Sequence, residues 1–97
     1  MEVFMVKEGP ELHKVAFIKN ELGLHARSAA QIAEISRNSK GNVWLMKDGE
    51  KADASNIMDI LTLVCKKDTK IRIIIEDPRD TDVLNAIVDL VDNGFGE

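Results

Sequence analysis

The chain is poor in several residue types that carry common chemistry. Its 97 residues include one cysteine, two prolines, two histidines and no tyrosine. The single cysteine, Cys65, cannot form an internal disulfide or a thiolate metal cluster, and we interpret it as a buried, inert thiol. No apolar run approaches the roughly 20 residues of a membrane span, and the early acidic residues do not fit a signal peptide. We therefore expect a cytoplasmic protein that does not enter a membrane.

An excess of positive charge is also missing. The chain has 13 lysines and arginines against 17 acidic residues, a formal net charge of −4. Nucleic-acid binding needs a basic face, so this balance argues against it. The length and the 44% hydrophobic content suit one domain with one core. We predict an irregular lead-in over residues 1–11 and a single domain over residues 12–97.

Hydrophobic periodicity predicts the element order β-α-β-β-α-β-α. Asp48-Gly49 is a hairpin turn signal, and Asp77-Pro78 is typical of a helix start. The predicted strands cover residues 15–18, 42–47, 50–53 and 70–76, and the helices cover 26–37, 57–64 and 78–93. Each helix has one apolar stripe, so we expect one sheet with the helices on one face, an α+β fold. Trp44 is expected in the core or on the sheet face rather than in a ligand site.

The stretch from Gly23 to Ala30, GLHARSAA, is the most informative. A glycine turn delivers His25 to a helix start, where the backbone N–H groups of Ala26, Arg27 and Ser28 are unpaired and the helix dipole favours an anion. An arginine guanidinium matches phosphate oxygens, so His25 and Arg27 suit phosphoryl acceptance. The alternative is a histidine that only caps the helix.

Other features of the sequence do not point to a second reactive group. His13 has no such context, and we interpret it as a surface residue at a strand end. We expect no second acid–base partner near His25 and no metal-ligand cluster, which argues against a hydrolytic enzyme.

Three segments carry a resemblance to a known family: Gly23-Leu24-His25-Ala26-Arg27, Ser55-Asn56-Ile57-Met58 and Gly94-Phe95-Gly96-Glu97. Over residues 13–97 the chain resembles HPr, the histidine-containing phosphocarrier family of the bacterial sugar phosphotransferase system. The resemblance implies an open-faced β-sandwich, with a four-stranded antiparallel sheet and three helices on one face.

The resemblance also implies the chemistry. The pros nitrogen (Nδ1) of His25 would take a phosphoryl group from an enzyme I type phosphotransferase charged by phosphoenolpyruvate, and Arg27 would stabilise it. The group would then pass to an acceptor domain of the enzyme IIA type. Such a protein is a stoichiometric carrier rather than an enzyme, and we expect a monomer with no cofactor and no metal.

Partner docking is likewise implied by the resemblance. It assigns the docking patch to exposed residues of the second helix and its surroundings: Ile57, Met58, Leu61, Asn56 and Gln31. Methionine repacks easily and suits a surface that meets more than one partner. The alternative is that Ile57, Met58 and Leu61 belong to the core.

The chain departs from the family pattern at three places. Ser28 stands where the family usually has proline, which we expect to be tolerated with an altered resting position of His25. Asn56 stands where many relatives carry a regulatory serine, so we predict no regulatory phosphorylation there and regard it as doubtful at Ser55; either residue is more simply a helix cap. Glu34 and Asp59 are acidic where many relatives have neutral or basic docking residues.

These departures keep two alternatives to sugar transport open. One is a regulatory binding module, nitrogen-related or controlling a transcription regulator or kinase, that signals through the phosphorylation state of His25. The other is a small-molecule sensor of similar topology, for which the sequence shows no ligand-site signal.

Overall fold

The computed structural model describes residues 12–97, in which four strands form one sheet. The elements, in chain order, are β1 (His13–Phe17), α1 (Ala26–Ser36), β2 (Val43–Lys47), β3 (Glu50–Asp53), α2 (Ile57–Leu61), β4 (Lys70–Ile75) and α3 (Thr81–Asp92). Short 3₁₀ turns cover Pro78–Asp80 and Gly94–Gly96. The predicted order is confirmed, whereas the predicted lead-in over residues 1–11 lies outside the described residues.

The sheet has the strand order β1-β4-β2-β3, and every pair is antiparallel. Alternate residues of β4, Ile71, Ile73 and Ile75, are buried on the face that the helices cover. Leu45 lies opposite Ile73 on one side and Ala52 on the other, so the core is continuous across the strands. This is the predicted open α+β architecture, and β3 lies at an edge as its polar sequence predicted.

The buried inner face of helix α1 consists mainly of small residues. Ala29, Ile32, Ala33 and Ser36 are all buried, as their spacing predicted. The Ser36 hydroxyl is satisfied by donating to the Ile32 carbonyl at 2.9 Å. The buried face holds α1 against the core and thereby fixes where its first turn lies.

The predicted second helix is too long. It was expected to continue to Val64, but α2 ends at Leu61. Lys47 Nζ donates to the carbonyl oxygens of Leu63 and Val64 at 3.0 and 2.9 Å, and Val64 adopts φ +52°. The left-handed conformation is unfavourable for a β-branched residue and cannot continue a helix.

Two other elements begin more than one residue away from the predicted position. Strand β1 begins two residues earlier than expected because His13 and Lys14 pair with Ile74 and Ile73, and it ends one residue earlier, at Phe17. Asp77 caps the following turn by accepting from the Arg79 N–H at 2.9 Å, but the chain makes a 3₁₀ turn before α3 begins.

Asp80 occupies that 3₁₀ turn and ties it to the loop after α1. Its buried carboxylate accepts hydrogen bonds from the backbone N–H groups of Lys40 and Gly41, at 2.9 to 3.1 Å. The loop between α1 and β2 is therefore anchored to the start of α3.

Trp44 lies on the open sheet face, consistent with one of its two predicted positions. It is half-buried, its Nε1 donates to Glu76 at 2.8 Å, and Lys51 Nζ lies 4.3 Å from the ring centroid. Cys65 is buried as predicted, and that burial raises the pKa of its thiol. Among residues 12–97, the helices are all too short or too polar to cross a membrane.

Candidate functional site

His25 is the N-cap residue of α1. Its backbone is extended, with φ −129° and ψ −177°, and its Nδ1 accepts a hydrogen bond from the Arg27 N–H at 3.3 Å. A backbone N–H can only donate, so Nδ1 carries a lone pair and the neutral ring has its proton on Nε2. The side chain is 26% exposed, which leaves the ring accessible at the molecular surface.

Gly23 allows the backbone to make the turn that precedes His25. It adopts φ +66°, and the next residue, Leu24, donates its N–H to the Cys65 carbonyl at 2.8 Å. A Cβ at position 23 would lie 2.3 Å from that carbonyl oxygen. The turn therefore requires glycine both for its backbone conformation and for the close approach of the segment after α2.

Ser28 fixes the backbone of His25. The Ser28 side chain is fully buried, and its hydroxyl accepts a hydrogen bond from the His25 N–H at 2.9 Å. Together with the bond from the Arg27 N–H to the imidazole, this resembles a capping box in which cap and third helical residue stabilise each other. A proline at position 28 would have no hydroxyl, so this hydrogen bond to the His25 backbone depends on serine.

Glu97 is the nearest charged partner of the ring, and sequence reasoning missed it. Its Oε2 lies 2.5 Å from His25 Nε2, and its Oε1 accepts from Asn20 Nδ2 at 2.9 Å. Asn20 is buried and also donates to the Gly23 carbonyl at 2.8 Å. The expectation that His25 has no second acid–base partner is therefore wrong: a carboxylate held by a buried amide adjoins the ring.

The C-terminal turn brings Glu97 to this position. Phe95 is buried in the core with φ +59°, Gly96 has φ +74°, and the Glu97 N–H donates to the Gly94 carbonyl at 3.0 Å. These residues belong to the ending quoted in the sequence analysis, but the contact with His25 spans 72 positions. No local pattern signals a pairing over that separation.

The electrostatic environment keeps Glu97 ionised. The hydrogen bond from Asn20 is the largest cause that lowers the pKa of Glu97, followed by the bond with His25. Partial burial opposes this, and the positive charge of Arg27 lowers the pKa further. The group facing Nε2 at neutral pH is therefore a carboxylate anion.

Arg27 is exposed, two residues after His25, and it lines an open cleft. The cleft has a volume of about 500 Å³ and is lined by Leu22, Arg27, Gln31, Phe95, Gly96 and Glu97. Gln31, half-buried one turn along α1, thus shares a surface with the guanidinium. The cleft offers a cation, an amide and an apolar rim at one edge of the site.

The predicted docking residues of α2 divide into two groups. Met58 is 73% exposed, whereas Ile57 and Leu61 are only half-buried and pack against the core. The prediction of three exposed side chains is therefore correct in full only for Met58. A five-residue helix packed against the core by its other apolar residues leaves one free to face outward.

Two exposed hydrophobic residues near this helix were missed. Leu22 is 70% and Val64 61% exposed, and both line a groove of about 430 Å³ together with Leu24 and Leu61. Large exposed apolar side chains that share a groove are a feature of interaction surfaces. Leu22 lies in a loop without periodicity, and Val64 was predicted to lie in the second helix, so neither exposure could be read from the sequence.

The polar residues before α2 have structural partners. Asn56 is the helix cap, since its Oδ1 accepts from the Asp59 N–H at 3.0 Å, while the Ser55 hydroxyl donates to the Asp53 carboxylate at 2.7 Å. The Asp59 carboxylate accepts a hydrogen bond from the Asp53 N–H at 2.6 Å. The negative charge of Asp59 therefore has a partner within the same loop. Glu34 is exposed, in line with a negative contribution to the surface.

A metal centre has no support in the described part of the chain. Residues 12–97 contain no group of three or more histidine, cysteine or acidic side chains that could hold an ion. The candidate site consists of His25, Arg27, Glu97 and the start of α1.

Comparison with known proteins adds independent information. A family profile described as the PTS HPr component phosphorylation site matches residues 12–93. The phosphocarrier protein HPr of Cupriavidus necator is 29% identical over 86 residues, covering 89% of this chain and 97% of that protein. The phosphocarrier protein NPr of Klebsiella oxytoca is 35% identical over 81 residues, covering 82% of this chain and 90% of that protein.

A solved structure shows the same architecture. The crystal structure of HPr-C-His from Thermoanaerobacter tengcongensis superposes with a TM-score of 0.82 at 32% identity. The match covers 88% of this chain and 96% of that chain. The comparisons of sequence and of fold therefore point to the same family.

Proposed function

The chain belongs to the HPr family of phosphotransferase-system phosphocarriers, and we propose that His25 is its phosphoryl-accepting residue. The donor is an enzyme I type phosphotransferase charged by phosphoenolpyruvate, and the recipient is a domain of the enzyme IIA type. The observation that carries this assignment is the accessible ring at the N-cap of α1, with Nδ1 facing the Arg27 N–H.

The chemistry follows from the ring's orientation. Nδ1 attacks phosphorus with the lone pair that now accepts from the Arg27 N–H. Once Nδ1 carries the phosphoryl group, this N–H is free to donate to a phosphoryl oxygen. The backbone N–H groups of Ala26 and Ser28 belong to the same first helical turn and add to the anion-favouring field.

Arg27 supplies the larger electrostatic stabilisation. A guanidinium about 4 Å from the phosphoryl group contributes up to roughly 4 kcal/mol at an effective dielectric constant near 20, and less when exposed. The helix dipole contributes about 0.3–1 kcal/mol at an exposed site. A solvent-exposed cation suits a carrier, which must release the group as readily as it accepts it.

Docking involves α2, which packs against the histidine-bearing helix α1. Met58 is the most exposed apolar residue of this surface, Ile57 and Leu61 are half-buried, and the polar Asn56 and Gln31 complete it. Met58 can repack against different partners, which suits a protein that docks first to a donor and then to an acceptor.

The remaining properties are part of the same proposal. Residues 12–97 form a single domain that acts as a monomer in the cytoplasm and needs no cofactor. It is consumed and regenerated as a phosphohistidine protein rather than turning over a substrate as an enzyme.

A regulatory, nitrogen-type role is the second candidate. NPr proteins stand among the relatives beside HPr proteins, and Asn56 removes the serine hydroxyl that many HPr relatives carry there. The two roles differ in the acceptor. Incubating the phosphorylated chain with nitrogen-type and sugar-type IIA domains side by side distinguishes them by which domain gains phosphate faster.

The proposed function is tested by mixing the chain with phosphoenolpyruvate and an enzyme I type phosphotransferase, followed by intact-mass measurement. We expect a gain of one phosphoryl group that is labile in acid and stable in base, as for an N–P bond. His25→Ala should abolish the gain. His13→Ala, at the chain's other histidine, should retain it, and labelling of the His25→Ala variant would refute the assignment.

A further inference from the structure

Strand β1 lies at the edge of the sheet and, among residues 12–97, has a neighbouring strand on one side only. The Leu12 carbonyl, directly before β1, accepts from the Ile75 N–H at 2.8 Å, so the backbone of Leu12 faces β4. Backbone groups of successive residues in a strand point to opposite sides. The backbone groups that point to the outer edge are therefore those of His13, Val15 and Phe17.

The same edge exposes apolar side chains. Val15 is 39% and Phe17 49% exposed, while Ala16 between them is buried under the helices. Val15 and Phe17 therefore lie on the open face of the sheet. An unpaired strand edge beside large exposed apolar side chains is a surface that proteins usually cover or pair.

The eleven residues ahead of Leu12 have the composition and the length to cover this edge. Their run Val3-Phe4-Met5-Val6 contains β-branched and aromatic residues, which favour strands. Gly9-Pro10 marks a turn between this run and β1. Residues 2–6 equal the five residues of β1 in number, and the chain itself holds them next to the edge.

We propose that residues 2–6 pair with the outer edge of β1 as a fifth, antiparallel strand, after a turn at Gly9-Pro10. A two-residue turn places Phe4 opposite Val15 and directs the backbone groups of Phe4 at those of Val15. An aromatic residue opposite a β-branched one is a stabilising cross-strand pair. The irregular lead-in predicted from the sequence is replaced by a strand, because the free edge of β1 supplies the partner.

The charges agree with this register. Glu2 falls opposite Phe17, on the open face of the sheet. The residue paired with Phe17 on its other side is Lys70 of β4, which carries the opposite charge and is exposed. A strand added to an existing four-stranded sheet also needs no independent stability, unlike an isolated hairpin.

A covered edge has a consequence for assembly. Exposed strand edges are templates for pairing with another chain, so residues 2–6 would protect the monomer from association through β1. This role goes beyond the proposed function and does not depend on phosphorylation of His25.

Amide hydrogen exchange of the full chain, measured by NMR, tests the pairing. The Val15 N–H points to the outer edge, and we expect it to exchange at least tenfold more slowly than an unprotected amide. The Ala16 N–H points to β4, so its protection reports whether the sheet itself is folded.

Two proline variants at adjacent positions provide the matched comparison. Phe4→Pro removes an N–H that faces β1 and should lower the protection of Val15 at least tenfold. Met5→Pro removes an N–H that faces away from β1, where an edge strand tolerates proline, and should retain most of that protection. Ala16 should stay protected in both variants.

The remaining outcomes overturn the proposal. A Val15 N–H that exchanges like an unprotected amide in the parent would show that the edge is open. Equal protection of Val15 in Phe4→Pro and Met5→Pro would exclude the proposed pairing. Contacts between Phe4 and Val15 seen only between labelled and unlabelled chains, in isotope-filtered NMR of a mixture, would mean that a second copy occupies the edge.

Discussion

Replacing Gly23 by alanine should destabilise the protein far more than the loss of one glycine usually does. Gly23 adopts φ +66°, and a Cβ there would lie 2.3 Å from the Cys65 carbonyl oxygen and 3.0 Å from the Lys66 Cα. All of these neighbours are backbone atoms, so no side-chain rotation relieves the overlap. The two segments must move apart. This movement would break the hydrogen bond of 2.8 Å from the Leu24 N–H to the Cys65 carbonyl.

The magnitude follows from three contributions. The left-handed backbone costs an L-residue about 1–2 kcal/mol, the forced displacement about 1–3 kcal/mol, and the lost hydrogen bond about 1 kcal/mol. We expect Gly23→Ala to lower the free energy of unfolding by about 3–6 kcal/mol. Small domains are stable by about 5–15 kcal/mol in total, so the variant should be marginal.

Urea unfolding, followed by circular dichroism, measures this loss. Gly49→Ala is the matched control, because Gly49 has φ +85° but nothing within 4 Å of the added Cβ. It should lose only the conformational contribution, about 1–2 kcal/mol. If the two variants lose the same free energy of unfolding, the close approach at Gly23 contributes nothing to stability and the reasoning is refuted.

Three further predictions concern the cap, an acid-sensitive turn and the docking surface. Ser28→Ala removes the acceptor of the His25 N–H and should cost about 1 kcal/mol in urea unfolding; an unchanged midpoint would contradict this. The side-chain bond from Arg79 lowers the pKa of Asp77 from 3.8 to about 2, so this contribution to stability is present above about pH 4 and is lost as the pH falls towards 2. Asp77→Asn should reduce the loss of stability over that range, and a pH dependence equal to the parent's would be inconsistent with it. Met58→Asp should leave stability within about 0.5 kcal/mol because the side chain is exposed, yet slow both transfer from the donor and transfer to the acceptor in a rapid-quench assay; unchanged rates would exclude Met58 from docking.

The fold could be predicted from the sequence because its signals are local. The β-branched run of β4, the small-residue face of α1 and the Asp48-Gly49 turn each determine an element through nearby residues. The end of α2 could not be predicted, because it depends on Lys47, a residue of β2, donating to the carbonyls after the helix.

In the site, too, local features could be predicted from the sequence and tertiary contacts could not. The position of His25 at a helix start follows from Gly23 and the helix-forming residues that come next. Its contact with Glu97 depends on tertiary structure. The hydrogen bond from Asn20 and the burial of Phe95 are needed to bring Glu97 to the ring. The exposure of Met58 rather than Ile57 was not predictable either, because a five-residue helix has too little periodicity to define a face.

The central claim is that phosphate bonds to Nδ1 of His25, and NMR of the phosphorylated chain tests it directly. After labelling with nitrogen-15 and phosphorylation by an enzyme I type donor, we predict a phosphorus–nitrogen coupling to Nδ1 of His25. Coupling to Nε2, or phosphate on any residue other than His25, would contradict the account.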